Sequence, residues 1–98
     1  MRLQDLYYDV LTKYEYADKK AQEMRDAAQE EYLEGERFDE MRDWESAEEH
    51  YSLYDDYTDE ANKWEEERDA YDDLAEGLRR MKDAQDTLGW HITIEVEA

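Results

Sequence analysis

The chain lacks cysteine and proline altogether and holds only three glycines in its 98 residues. The absence of cysteine excludes a disulfide framework, thiol chemistry and any metal site built on thiolates. The absence of proline leaves few positions at which a helix must break. No apolar run approaches the length of a signal peptide core or of a membrane span. We therefore expect a single soluble, cytoplasmic domain over residues 1–98, mostly helical.

Motifs for catalysis or for binding metals and phosphates are also scarce. The chain has two histidines, His50 and His91, and neither belongs to a zinc or di-iron motif. The acidic run 55–60 lacks the central glycine and the alternating oxygen ligands of a calcium loop. No glycine-rich phosphate loop, nucleophile elbow or basic nucleic-acid surface is present. The sequence predicts no enzyme, no cofactor, no metal and no direct contact with nucleic acid.

Aromatic residues argue against disorder in a chain this polar. Nine tyrosines, three tryptophans and one phenylalanine supply large surfaces that can be buried on folding. Tyrosines at helical spacing are expected to pack between helices. Tyr8, Tyr16 and Tyr32 lie beside acids outside the apolar stripe and are interpreted as contact residues for a partner.

Two apolar stripes organise the chain. From Leu3 to Ala28 the apolar residues recur at alternating spacings of four and three, and a second stripe runs from Ala47 to Leu88. Ser46 followed by Glu49 has the pattern of a helix-starting capping box. We predict a mainly α fold, a long antiparallel helical hairpin with a turn at about 43–45.

The predicted hairpin has its first helix at about 2–42 and its second at about 46–88. Folding back about residue 44 would place Tyr54 near Gly35, a large side chain against a small one. Helix-start patterns at Ser52–Asp55 and Thr58 leave a small helical bundle as the alternative.

After Gly89 the pattern changes to one short C-terminal β-strand, at about 90–96. Apolar residues alternate there with polar ones, which is typical of a half-buried strand, and they are Trp90, Ile92, Ile94 and Val96. A lone strand must pair elsewhere, either with a second copy in a homodimer or with the sheet edge of a target. An extended tail laid over the helices is the alternative.

Negative charge is concentrated in the middle of the chain. Residues 30–76 hold 21 acidic and four basic residues, so this window carries −17 of the formal −19. If the window is helical, nine like-charged pairs four residues apart within it and a tenth at its edge, Asp26/Glu30, cost about 2–5 kcal/mol in total, against a typical domain stability of about 5–15 kcal/mol. A fold that carries this electrostatic penalty is expected to use its negative electrostatic field for a function.

Two partial family resemblances fall near the predicted turn. Gly35, Phe38, Asp43-Trp44, Ala47 and Tyr51 resemble one tetratricopeptide repeat, but the pattern does not recur 34 residues onward, so no array is expected. Trp44-Glu45-Ser46 resembles the W-x-G turn of the WXG family of secreted helical hairpins, with Ser in place of Gly. This second resemblance implies a hairpin turn near Trp44.

The whole chain, short, acidic, aromatic-containing and cysteine-free, also resembles phage-encoded nucleic-acid mimics of the anti-CRISPR and anti-restriction type. That resemblance implies a non-enzymatic viral inhibitor that occupies the DNA- or RNA-binding groove of a bacterial defence nuclease. The partner would be a basic nucleic-acid-binding protein in the host cytoplasm, reached by electrostatic steering. The candidate phosphate surrogates are Glu36, Glu40, Glu45, Glu48, Glu49, Asp55, Asp56, Asp59, Glu60, Glu66, Glu67 and Asp73.

Two other interpretations of the charge stay open. The acids can form a solvated face that serves solubility only. Alternatively, the chain is a structural or assembly hairpin that dimerises through its stripes and strand, with the charge preventing overassociation.

Overall fold

The computed structural model describes residues 2–89, and this part of the chain is a helical hairpin. Helix α1 spans Leu3–Glu40 and helix α2 spans Trp44–Leu88. The small-bundle alternative is wrong, because α2 continues without interruption through 52–58. The predicted strand at 90–96, with Trp90, Ile92, Ile94 and Val96, lies outside the described residues.

The turn is tight and begins with a helix C-cap. The Asp43 amide donates to the Phe38 carbonyl at 2.9 Å, and the Arg42 amide donates to the Asp39 carbonyl at 3.0 Å. These two bonds are those of a Schellman motif, whose C′ residue adopts the left-handed conformation. Arg42 occupies that position with φ of 60°, where glycine is usual because it lacks a Cβ.

Asp43 then caps α2. Its side-chain Oδ1 accepts a hydrogen bond from the Ser46 amide at 3.3 Å, and its carbonyl accepts the first intrahelical bond from Ala47 at 3.0 Å. The predicted capping role of Ser46 is therefore wrong, because an aspartate three residues earlier satisfies the free amide. Consequently α2 begins at Trp44, and α1 ends at Glu40 rather than at 42.

The helices divide into two compact units. Unit 1 comprises Met1–Tyr16 and Glu67–Ala98, and unit 2 comprises Ala17–Glu66, which contains the turn. Each unit therefore takes one segment from α1 and one from α2.

Unit 1 has a conventional aliphatic core. Leu3 and Val10 of α1 are buried together with Ala75 and Leu78 of α2. The partly buried residues packed against this cluster are Leu6, Tyr7, Leu11 and Tyr71.

The two helices of unit 2 pack against each other through small residues instead. Its buried apolar residues are alanines at positions 17, 21, 28, 47 and 61, and Gly35 is also buried. Small side chains on both helices let the backbones approach closely, and most of the aromatic rings of unit 2 are left half-buried.

The register between the helices differs from the prediction by about one turn. Tyr51, not Tyr54, packs on Gly35, since a Cβ added to Gly35 would lie 2.6 Å from Tyr51 Cε1. The cause is the position of the turn, which is centred on residue 42 and not on residue 44. Moving the centre of a hairpin by two residues shifts every cross-helix pair by about four.

The second predicted stripe packs inward only in part near its C-terminal end, where it consists of Tyr71, Leu74, Ala75, Leu78, Met81 and Leu88. Leu74, Met81 and Leu88 are exposed, with 46–55% of their surface accessible. Tyr71, Ala75 and Leu78, which belong to the same predicted stripe, face the core of unit 1.

Candidate functional site

The acidic surface is centred on unit 2, where 19 acidic and six basic residues give a net charge of −13. All twelve candidate phosphate surrogates are exposed. Ten of them lie in unit 2, while Glu67 and Asp73 lie in unit 1. Carboxylates are almost never fully buried without a partner, so their exposure follows from the hairpin itself.

Within residues 2–89, none of the twelve carboxylates takes part in an ion pair. The cations of unit 2 that do form ion pairs hold other acids: Arg25 pairs with Glu65, Arg37 with Glu34 and Lys20 with Glu23. The candidate surface is therefore not neutralised by the chain's own basic residues.

Along α2 the exposed acids form rows parallel to the helix axis. Glu45, Asp59 and Glu66 share one row, because they lie seven or fourteen residues apart. Each seven-residue step advances about 10.5 Å along the helix. Near the start of α2 a shallow open hollow is lined by Glu45, Glu48, Glu49, Ser52 and Leu53.

A tyrosine cluster lies at the edge of unit 2. The Tyr32 ring centroid is 5.8 Å from that of Tyr51 and 5.3 Å from that of Tyr54, and both ring pairs are tilted. Tyr32 is 40% exposed, as its interpretation as a contact residue requires. We call these three residues the tyrosine cluster.

Carboxylates surround the tyrosine cluster. The Tyr32 hydroxyl donates a hydrogen bond to Glu36, and this bond raises the pKa of Tyr32 above its usual value. The pKa of Tyr51 is also raised, first because the ring loses water on packing and then because Asp39 and Glu36 lie close. The cluster therefore combines aromatic faces with a strongly negative potential.

One arginine is held across the two helices of unit 2. Arg25 donates to both carboxylate oxygens of Glu65 at 2.9 Å and to the Asn62 side-chain oxygen at 2.7 Å. The hydrogen bond to Glu65 is the main reason that the pKa of Arg25 is raised. Sequence analysis missed this clamp, because Arg25 and Glu65 are 40 residues apart and only the register brings them together.

His50 forms a second cross-helix contact. Its Nδ1 lies 2.6 Å from a Glu31 carboxylate oxygen, and its ring stacks on Phe38 with centroids 5.2 Å apart. Sequence analysis found no metal-binding motif at His50 and did not predict this contact. The contact ties α2 to the last three turns of α1 and gives this histidine a structural role.

Residues 2–89 contain no helix long and apolar enough to cross a membrane. The same residues contain no cluster of three or more acidic or histidine side chains arranged to hold a metal ion. Comparison of the chain with known protein families, with curated proteins and with solved structures finds no match. The chemistry of the site itself therefore carries the interpretation.

Proposed function

We propose that this chain is a non-enzymatic inhibitor that presents nucleic-acid-like charge and occupies the DNA- or RNA-binding groove of a bacterial defence nuclease, in the manner of an anti-CRISPR or anti-restriction protein. The observation that carries the proposal is the set of twelve exposed carboxylates without ion-pair partners in residues 2–89. Such a surface attracts the lysines and arginines that otherwise hold phosphates.

The charge density of unit 2 supports this proposal. Its helical segments, 17–40 and 44–66, are about 36 and 35 Å long at 1.5 Å per residue. A net charge of −13 over that length is about one charge per 2.8 Å of axis, compared with about one per 1.7 Å for duplex DNA. Unit 2 thus reaches more than half the linear charge density of the polymer it would replace.

The tyrosine cluster supplies what charge alone does not, an anchor with a defined shape. A guanidinium group from the partner would stack on the exposed face of Tyr32 while Glu36 accepts its hydrogen bonds. An exposed cation–π contact contributes about 0.5–1 kcal/mol, and tyrosine and arginine dominate the energetics of many interfaces. The acidic hollow beside Leu53 would receive a second basic side chain.

The proposal is tested by capture from bacterial lysate on the immobilised chain at about 50 and then about 500 mM salt, which spans weak to strong screening. Mass spectrometry identifies the captured proteins. We expect one basic nucleic-acid-binding protein that elutes at high salt and releases its DNA or RNA when the chain binds.

Charge-neutralised variants then locate the surface. The test variant replaces Glu48, Glu49, Asp55 and Asp56 with the corresponding amides. At about 0.5–1 kcal/mol per contact, losing four contacts weakens binding about 30- to 1,000-fold.

A matched control neutralises four exposed acids of unit 1, Asp5, Glu15, Asp83 and Asp86, and should retain most of the affinity. Recovery of only the chain itself, or of partners indifferent to salt, would refute the inhibitor function. Equal losses in the two variants would refute the assignment of the surface.

A further inference from the structure

An apolar column without a packing partner among residues 2–89 runs along α2 in unit 1. Leu74, Met81 and Leu88 are seven residues apart and 49%, 46% and 55% exposed. Side chains seven apart lie almost directly above one another on a helix, which is the geometry of a coiled-coil seam. Unit 1 buries a different column of α2, with Ala75 and Leu78, so these three residues are left over from its core.

A column of small residues lies beside the apolar column. Ala70, Gly77 and Ala84 are also seven apart, each four residues before Leu74, Met81 or Leu88. A Cβ added to Gly77 would find nothing within 4 Å. The face is therefore a repeating pattern of projections and notches, with the notch at Gly77 open.

We propose that this face binds a second copy of the chain, with the two α2 helices antiparallel and related by a two-fold axis near Arg79. In that register the projections of each copy enter the notches of the other. Met81 packs on Gly77, Leu74 on Ala84 and Leu88 on Ala70, and each contact occurs twice, as a two-fold interface requires. A large residue against a small one at every layer is the arrangement that fills space without voids.

Charge favours this segment over the acidic middle of the chain for self-association. Residues 70–88 hold five acids and three bases, a net charge of −2, whereas residues 30–69 carry −14. The arginines of this segment, Arg79 and Arg80, both pair with Glu76 of their own helix. The low net charge of the segment therefore opposes its pairing with a second copy far less than the charge of residues 30–69 would.

The seam is short, so the dimer should be weak. Nineteen residues of helix extend about 28 Å, and one helix face of that length buries less than a standard stable interface. We expect a dissociation constant of about 10–100 µM. Because both copies are strongly acidic overall, added salt should strengthen the dimer by screening their repulsion, whereas the proposed binding to a basic protein weakens with salt.

Sedimentation equilibrium of the full chain from about 5 to 500 µM, a range that brackets the expected constant, tests the proposal. We expect the average mass to rise from 11.9 kDa toward twice that value. The decisive variant is Gly77→Gln, which fits the open space of the single copy but fills the notch that Met81 must enter. It should weaken dimerisation at least tenfold while circular dichroism at 222 nm shows equal or greater helix content.

Gly77→Ala, which adds one methyl group, should keep most of the dimer, and Asp83→Gln on the polar face is the matched control. A wild-type chain that remains at 11.9 kDa at every concentration and salt would overturn the proposal. A dimer that Gly77→Gln leaves unchanged would also overturn it, because association would then use another surface.

Discussion

Gly35 and Gly77 allow one substitution to be compared in two environments. Both glycines lie inside long helices, so replacement by alanine should bring the same gain in helix propensity, about 1 kcal/mol. Their surroundings differ. A Cβ at Gly77 meets nothing within 4 Å, whereas a Cβ at Gly35 lies 2.6 and 2.7 Å from two carbons of the Tyr51 ring.

The magnitude at Gly35 follows from that overlap. Carbon atoms in contact normally lie about 3.5–4.0 Å apart, so the Tyr51 ring must move by about 1 Å against its neighbour Tyr32. Overpacking of this kind costs about 1–3 kcal/mol. We expect Gly35→Ala to destabilise the fold by about 1 kcal/mol and Gly77→Ala to stabilise it by about 1 kcal/mol, a separation of about 2 kcal/mol.

Urea unfolding followed by circular dichroism at 222 nm measures both changes in the free energy of unfolding. A third variant isolates the cause. In a Tyr51→Leu background the ring is absent, so Gly35→Ala should become neutral or stabilising, and the double-mutant cycle gives the coupling energy. Equal stabilisation by Gly35→Ala and Gly77→Ala in the wild-type background would refute the register deduced for unit 2.

Four further changes test single features. Arg42→Gly removes the steric strain of a left-handed backbone conformation in the turn and should add about 1 kcal/mol to the free energy of unfolding in urea. Thr58→Val removes a buried hydroxyl that has no hydrogen-bond partner in the described residues and should also add about 1 kcal/mol; a loss of stability would show that the hydroxyl is satisfied. Arg25→Gln breaks a partly exposed bidentate ion pair and should cost about 1 kcal/mol, with a smaller loss in about 0.5 M salt. The pKa of Tyr32 is raised in the folded state, so its contribution to the free energy of unfolding is complete below the ordinary tyrosine pKa of about 10 and is lost as pH rises through the folded value. Tyr32→Phe should therefore reduce the loss of stability at alkaline pH. Glu36→Gln should move the titration of Tyr32, followed by absorbance at 295 nm, to lower pH.

The helical hairpin was predictable because its signals are local. A chain without proline and with apolar residues every three or four positions has few alternatives to long helices. The register was not predictable to the residue, since it depended on whether Asp43 or Ser46 caps α2, and both residue types are good caps. The buried face of α2 near its C-terminus was also ambiguous, because the columns of Leu74 and of Ala75 are both apolar and spacing alone does not say which one faces α1.

The candidate surface was predictable in part for a different reason. Exposure of the twelve acids follows from the cost of burying an unpaired carboxylate, whatever the register of the helices. The tyrosine cluster and the Arg25 clamp depend on which residues meet across the hairpin, and a register error of one turn moves each partner by about 5 Å. Functional detail in this chain is therefore most sensitive to the position of the turn.

The turn also sets the order in which the chain folds. In unit 2 the contact between His50 and Glu31 closes a loop of only 19 residues. Every contact between the two segments of unit 1 closes at least 51 residues, because one segment ends at Tyr16 and the other begins at Glu67. The longer closure costs about 0.9 kcal/mol more in chain entropy, so unit 2 should form first, starting from the turn, and unit 1 should form on helices that are already held together.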